Sequence, residues 1–181
     1  MKILVGICVI PGASAGEAAD KLAEYRLHAS PEAGLAHFAA STGIDFARYG
    51  LDDPIPYGPT NAIQSATAVA QAGGWTKRDL LGQLAIGGRY PVVSGTPAQV
   101  ADELQRWIAV GEIDGFNLTR IVTPESYADF ADLVVPELQG RGVYKTAYDE
   151  GTLRSRLFGA GDLLPARHAV GAFRPGALAA E

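Results

Sequence analysis

The feature that most constrains the fold is the opening run Ile3-Leu4-Val5-Gly6-Ile7-Cys8-Val9-Ile10, closed by Pro11-Gly12. It is β-branched and apolar almost without interruption, the pattern of a strand buried on both faces, as in a parallel sheet. A parallel strand needs a crossover, and helices follow. Ser14 and Glu17 form a capping-box pattern, predicting a helix to about Ala29 with Ala18, Leu22 and Tyr25 on one face. Ser30-Pro31 opens a second helix with Leu35, Phe38 and Ala39 inward, stopped at Thr42-Gly43. Asp45 to Pro59 is turn-rich, and Asn61 to Ala72 is Ala-rich and helical. Thr76 and Asp79 start a helix that ends at Gly87-Gly88.

The second half repeats the alternation. Tyr90 to Ser94 is a short strand-like piece. Thr96-Pro97 opens an amphipathic helix with Val100, Leu104, Trp107 and Ile108 at helical spacing. Gly115 to Val122 is the second well-marked strand. Thr123-Pro124 opens a helix with Tyr127, Phe130, Leu133 and Val134 on one face, where Pro136 marks a kink or the last turn. Periodicity is lost from Gly140, and the Gly/Ala/Pro-rich stretch after Gly159 reads as a tail. Strand-helix alternation gives an α/β fold with parallel pairing. Two strong strands cannot cover each other's edges, so further strands are expected from additional chain or a second subunit.

Composition excludes some partners. The net charge of −5 and the absence of a basic cluster argue against nucleic acid or an anionic membrane. The opening run has about ten apolar residues, short of the roughly 20 that span a bilayer. Ala13-Ser14-Ala15 resembles a signal-peptide cleavage motif, but Lys2 alone supplies almost no charged leader. The single cysteine, Cys8, permits no internal disulfide and fits a cytoplasmic setting. Without a His in a partner motif, Cys8 is expected to be a small buried hydrophobe rather than a nucleophile. His28, His37 and His168 lack metal-ligand spacing, so no metal is expected.

Several segments together resemble the closing region of the luciferase-like flavin-dependent monooxygenases. They are Val92-Val93-Ser94-Gly95-Thr96-Pro97-Ala98-Gln99-Val100-Ala101-Asp102-Glu103-Leu104, Asp114-Gly115-Phe116-Asn117-Leu118 and Val135-Pro136-Glu137-Leu138-Gln139-Gly140-Arg141-Gly142. Tyr148 and Leu153-Arg154-Ser155-Arg156-Leu157 extend the likeness. It is closest to the branch of nitrilotriacetate, EDTA and dibenzothiophene-sulfone monooxygenases. The resemblance implies part of a (β/α)8 barrel: the last two βα units and the long insertion after the seventh strand. Residues 1–158 are then the C-terminal portion of the barrel and 159–181 a tail. A plain barrel takes about 250 residues.

The same resemblance implies reduced FMN supplied by a separate flavin reductase, molecular oxygen and a small organic substrate. The flavin carries the chemistry; the protein binds, orients and excludes water. The family's main flavin contacts lie on earlier strands, so this chain is expected to be inactive alone and to need an N-terminal half or self-association. A truncated non-catalytic remnant, or a subunit that grips another protein through the exposed barrel edge, is the alternative.

Candidate cofactor-binding residues are Arg89, Asn117 and Arg120. Barrel active sites lie at C-terminal strand ends, here Cys8 to Pro11 and Thr119 to Thr123. Asn117, Thr119 and Arg120 face the site or its rim; otherwise Phe116 and Leu118 fill the core and Arg120 makes a surface ion pair. Gly87-Gly88-Arg89-Tyr90 is a flexible loop with a cation and a ring. In relatives the corresponding loop closes over flavin or substrate. Some carry an Arg before the two glycines, where this chain has Ile86 and places Arg89 after them. Thr96-Pro97 and Thr123-Pro124 each start a helix, which either holds phosphate or is simply capped. Trp75 and Trp107 are read as packing residues.

Overall fold

The computed structural model describes residues 2–56, 64–165 and 168–170, with the side chain of residue 65 excepted. It divides into two units, Met1–Tyr144 and Lys145–Glu181. The first holds a three-stranded parallel sheet in the order β2-β1-β3, with β1 Leu4–Pro11, β2 Val92–Gly95 and β3 Gly115–Thr119. The strand-like piece before Thr96 is therefore a true strand, and the sheet has one strand more than the two strong runs suggested. β1 is central because its continuous apolar run can be covered on both faces. β3 pairs with its first half, Leu4 to Cys8, and β2 with its second half, Cys8 to Pro11. β3 stops at Thr119, short of the expected Val122.

Helix α1 spans Ala15–Leu27, α2 Pro31–Thr42, α3 Gln64–Ala72, α4 Lys77–Leu84 and α5 Pro97–Gly111. The expected start of α3 at Asn61 and the end of the turn-rich stretch lie outside the described residues. Caps set most starts. Ser14 Oγ accepts from the Glu17 amide, and Ser30 Oγ from the Ala33 amide ahead of Pro31. Thr76 with Asp79, and Thr96 with Gln99, close full capping boxes. Gly43, left-handed at φ 74°, ends α2. α1 ends two residues before Ala29, and α4 ends at Leu84, before the glycines.

The last helical stretch departs most from expectation. α6 Glu125–Asp129, a π-helical turn Phe130–Val134 and α7 Val135–Gly140 are contiguous. Its more buried side is Ser126, Phe130, Val134 and Leu138, spaced by four, while Tyr127 is exposed. In a regular helix that spacing would drift by about 40° per step. A wider π turn takes up the drift, and Pro136, which lacks an N–H, follows directly after it. Thr123 caps nothing: Pro124 holds the N-cap position without a side-chain bond, and buried Ser126 accepts from the Ile121 and Val122 amides. On α5, Ile108 is exposed rather than inward.

Two apolar clusters result. Under the sheet, Ile7, Val9, Val100, Leu104, Val134 and Leu138 pack with Phe116 and Leu118. Beside it, α2, α4 and the 3-10 turn Phe46–Arg48 bury Leu35, Phe38, Phe46, Ile55, Leu80 and Leu84, with Phe38 stacked on Phe46 at 5.9 Å. In the second unit Thr152 Oγ1 caps the short helix α8, Leu153–Phe158, which sequence periodicity did not announce. The tail after Gly159 lies largely outside the described residues. No helix among those described is long and apolar enough to cross a membrane.

Candidate functional site

Strand alternation sorts the residues of the sheet. Ile7, Val9, Phe116 and Leu118 point into the cluster beneath α5. Gly6, Cys8, Asn117 and Thr119 therefore belong to the opposite face. That face is met by the turn before β2. A side chain at Gly6 would collide with the Tyr90 ring, at 2.4 Å, so glycine there lets the ring lie on the strand. The Cys8 thiol is buried, 4.0 Å from the Gly87 carbonyl. Burial pushes this thiol up, against the opposing charge of Arg120. Cys8 is thus the small buried hydrophobe expected, and a poor thiolate.

Gly87 and Gly88 both have left-handed backbones, φ 76° and 60°, and the Tyr90 amide closes the turn on the Gly87 carbonyl at 3.1 Å. At Gly87 an added carbon would also lie 2.6 Å from a Val92 methyl. Only glycine fits that position.

The turn separates two cavities, and Gly88 lines both. One, of about 580 Å³, is polar: Arg120 at the end of β3 shares it with Glu24, Tyr25 and His28 of the α1 side and with Glu125. Burial, then the hydrogen bond to Glu125, push the Tyr25 hydroxyl up to about 12. Lys21, next to this group, bonds Asp129 at 2.8 Å and lies 3.3 Å from Glu17 and 3.8 Å from Glu125. The other cavity, of about 810 Å³, is walled by Trp75, Tyr90, Trp107, Phe38 and Leu80, with Arg89 at its rim. The Arg89 guanidinium sits 5.7 Å from the Tyr90 ring centre.

The three residues singled out from sequence are not brought together. Arg120 and Arg89 line different cavities on the two sides of the Gly87-Gly88 turn. Asn117 is exposed on the sheet face, beside Gly6, and lines neither. Phe116 and Leu118 do fill the core. Among the described residues Arg120 makes no ion pair. Sequence reasoning passed over Tyr25 and Glu125 as site residues, since neither stands in a motif. It read Trp75 and Trp107 as packing, and both also line the larger cavity.

The donor chemistry tests the flavin that the resemblance implies. An aromatic, apolar wall suits a planar ring. A phosphate needs converging N–H donors or cations. Arg120 shares its cavity with Glu24 and Glu125, whose charges oppose an anion. The Thr96 helix start is already closed by Gln99, whose side-chain oxygen accepts from the Thr96 amide at 2.9 Å. The described residues therefore supply ring walls and one guanidinium beside them, Arg89, but no converging set of phosphate donors, and do not form a whole FMN site.

No model of a protein family matches the chain. Individual relatives do. The chain is 42% identical over 166 residues to dimethyl-sulfide monooxygenase of Hyphomicrobium sulfonivorans, covering 90% of itself and 35% of that protein. It is 38% identical to long-chain alkane monooxygenase of Geobacillus thermodenitrificans (strain NG80-2), covering 96% and 36%. Among solved structures, DmoA from Hyphomicrobium sulfonivorans superposes with a TM-score of 0.78 at 39% identity, over 99% of this chain and 39% of that one. A riboflavin lyase solved with modified FMN and riboflavin gives 0.81 at 33% identity, over 97% and 39%. The chain spans a little over a third of the length of the curated relatives it matches. By sequence and by fold it belongs to the luciferase-like monooxygenase family, whose members named here are more than twice as long.

Proposed function

We propose that the chain is the C-terminal part of a flavin-dependent monooxygenase barrel. In this reading β1 and β3 are its last two barrel strands, and residues from about 30 to 90, which hold α2 to α4, are the insertion after β1. Residues 1–158 form the barrel portion and 159–181 a tail. The cofactor is reduced FMN from a separate flavin reductase, which supplies oxygen activation when bound. The chain's own residues position and enclose: Arg89 and Arg120 flank the Gly87-Gly88 turn, and Asn117 lies on the face that turns toward the barrel interior.

The observation that carries this reading is the pairing of β1 with β3. They run parallel, side by side, with α5 packed on one face. The other face holds small and polar groups at Gly6, Cys8, Asn117 and Thr119. Three strands cannot close a barrel that needs eight. Among the described residues, the β1 edge opposite β3 is unpaired from Leu4 to Ile7. Strands from a further segment fit that edge.

An FMN titration tests the proposal. The purified chain at micromolar concentration is expected to leave flavin fluorescence unchanged. Co-expressed with the first six βα units of the dimethyl-sulfide monooxygenase relative, it is expected to bind FMN saturably. Tight binding by the chain alone, or none by the reassembled pair, overturns it.

A further inference from the structure

We infer that the larger cavity binds a planar or extended apolar organic molecule carrying a single negative charge, the charge held by Arg89. This deepens the proposed function by naming a substrate class for the wall beside the Gly87-Gly88 turn, and rests on that reading for its catalytic meaning. The binding itself needs no flavin.

Size comes first. About 810 Å³ lies in the range of roughly 300–1,000 Å³ typical of small-molecule sites. The wall chemistry comes next. Trp75, Tyr90 and Trp107 offer three aromatic surfaces, and Phe38, Leu80 and Leu84 add apolar ones. Such a wall favours ring stacking and hydrocarbon burial. Charge then selects. Among the described residues that line the cavity, Arg89 is the one that carries a charge, and none is a carboxylate. Glu103, which bonds the Trp107 indole, has its oxygens engaged by Arg106 at 2.5 and 2.8 Å and by Trp107 Nε1 at 2.7 Å. Those bonds, Arg106 first, hold its carboxyl at about 2.

Among the described residues Arg89 makes no hydrogen bond and no ion pair, only the contact with the Tyr90 ring. A guanidinium resting on an aromatic face keeps its N–H edge for a bidentate acceptor such as a carboxylate or sulfonate. The polar cavity on the other side of the turn is the wrong place for that group, because Glu24 and Glu125 share it with Arg120.

The test uses the 181-residue chain and three probes of one shape: naphthalene-2-sulfonate, naphthalene-2-carboxamide and the 2-naphthylmethylammonium ion. Quenching of Trp75 and Trp107 reports binding. The sulfonate is expected to bind saturably and more tightly than the neutral amide, with the ammonium weakest. Because Arg89 is exposed, the preference is about three- to tenfold and shrinks with salt. Arg89→Ala should bring the sulfonate down to the level of the amide, with circular dichroism and the urea midpoint unchanged; Arg89→Lys should keep part of the preference. Equal binding of the three probes, no saturation by any, or an Arg89→Ala variant that binds the sulfonate as before overturns the inference. Failure of FMN to bind the reassembled pair, with the probe preference intact, would instead remove the monooxygenase reading and leave the anion site.

Discussion

The sheet layer and the helical cluster beside it are held in different ways. In the sheet layer, charges tie separate elements together. Lys21 of α1 reaches Asp129 of α6, and Arg141 after α7 bonds Asp102 at 2.6 Å and Gln105 at 2.8 Å on α5. Lys21 and Arg141 are half-buried. The cluster of α2 and α4 is tied at its surface by Arg78 and Asp52, a bidentate pair with both partners more than half exposed. Exposed pairs contribute about 0–1 kcal/mol. Ile7, Val100 and Val134 under the sheet have no exposed surface, whereas the buried Leu80 and Leu84 of the cluster also line the larger cavity. The cluster under the sheet is closely packed, and the sheet layer meets the cavity at Trp107 of α5. The cluster of α2 and α4 is packed against that space, and that is the region with room for a ligand.

Truncating one leucine in each region puts the largest strain on this contrast. Leu104→Ala removes a side chain enclosed by Ile7, Val134 and their neighbours, and is expected to cost about 2–5 kcal/mol. Leu84→Ala opens onto existing space and has fewer contacts to lose, so its cost should fall at or below the lower end, about 2 kcal/mol. Urea unfolding of both variants decides. Equal losses would mean that the cavity closes in solution and the two regions pack alike.

A smaller effect comes from Ser126. Its buried hydroxyl accepts from both the Ile121 and Val122 amides, shaping the exit from β3 into α6. Ser126→Ala leaves two partly buried donors without that acceptor, at about 1–3 kcal/mol. Ser126→Thr keeps the oxygen and should recover part of the loss. The readout is the unfolding midpoint with Trp107 as sole reporter, in a Trp75→Phe background. If Trp75, in a Trp107→Phe background, records the same shift, the sheet layer and the cluster unfold as one body.

Much of this was legible in the chain. The run from Ile3 to Ile10 announced a doubly covered strand, and Thr76 with Asp79 and Thr96 with Pro97 announced helix starts, because capping depends on neighbours a few residues away. The end of β3 was not legible: Ile121 and Val122 look like strand, and only the tertiary placement of Ser126 takes their amides. Nor was the exposure of Tyr127, since a π turn changes the period that a sequence pattern assumes. The separation of the candidate site residues was not legible for a related reason. Arg89 and Arg120 stand in a loop and at a strand end in one dimension, but in three they line different cavities, with Gly88 lining both. Charges that decide between anion and cation, such as Glu24 and Glu125 beside Arg120, come from elements far apart in sequence.

The smallest effect expected is an alkaline loosening of the sheet layer. The Tyr25 hydroxyl is raised from 10.0 to about 12, by burial first and then by Glu125. Lys21 is raised from 10.5, by its hydrogen bond to Asp129 first. Both groups hold their protons more tightly folded than unfolded. The stability they add is therefore intact below about pH 10 and is lost as pH climbs through 10 toward about 12. Lys21, Tyr25, Glu125 and Asp129 belong to α1 and α6, so the loss should fall on the sheet layer. Tyr25→Phe removes one of the two titrations, and its urea midpoint should decline less between pH 10 and 12 than that of the parent chain, each measured against its own value at pH 8. The decline should register at Trp107 before Trp75 if the regions are as distinct as their packing. Parallel slopes for Tyr25→Phe and the parent would show that the Tyr25 proton is held no more tightly in the folded chain, and that the α1–α6 contact owes its strength to Lys21 alone.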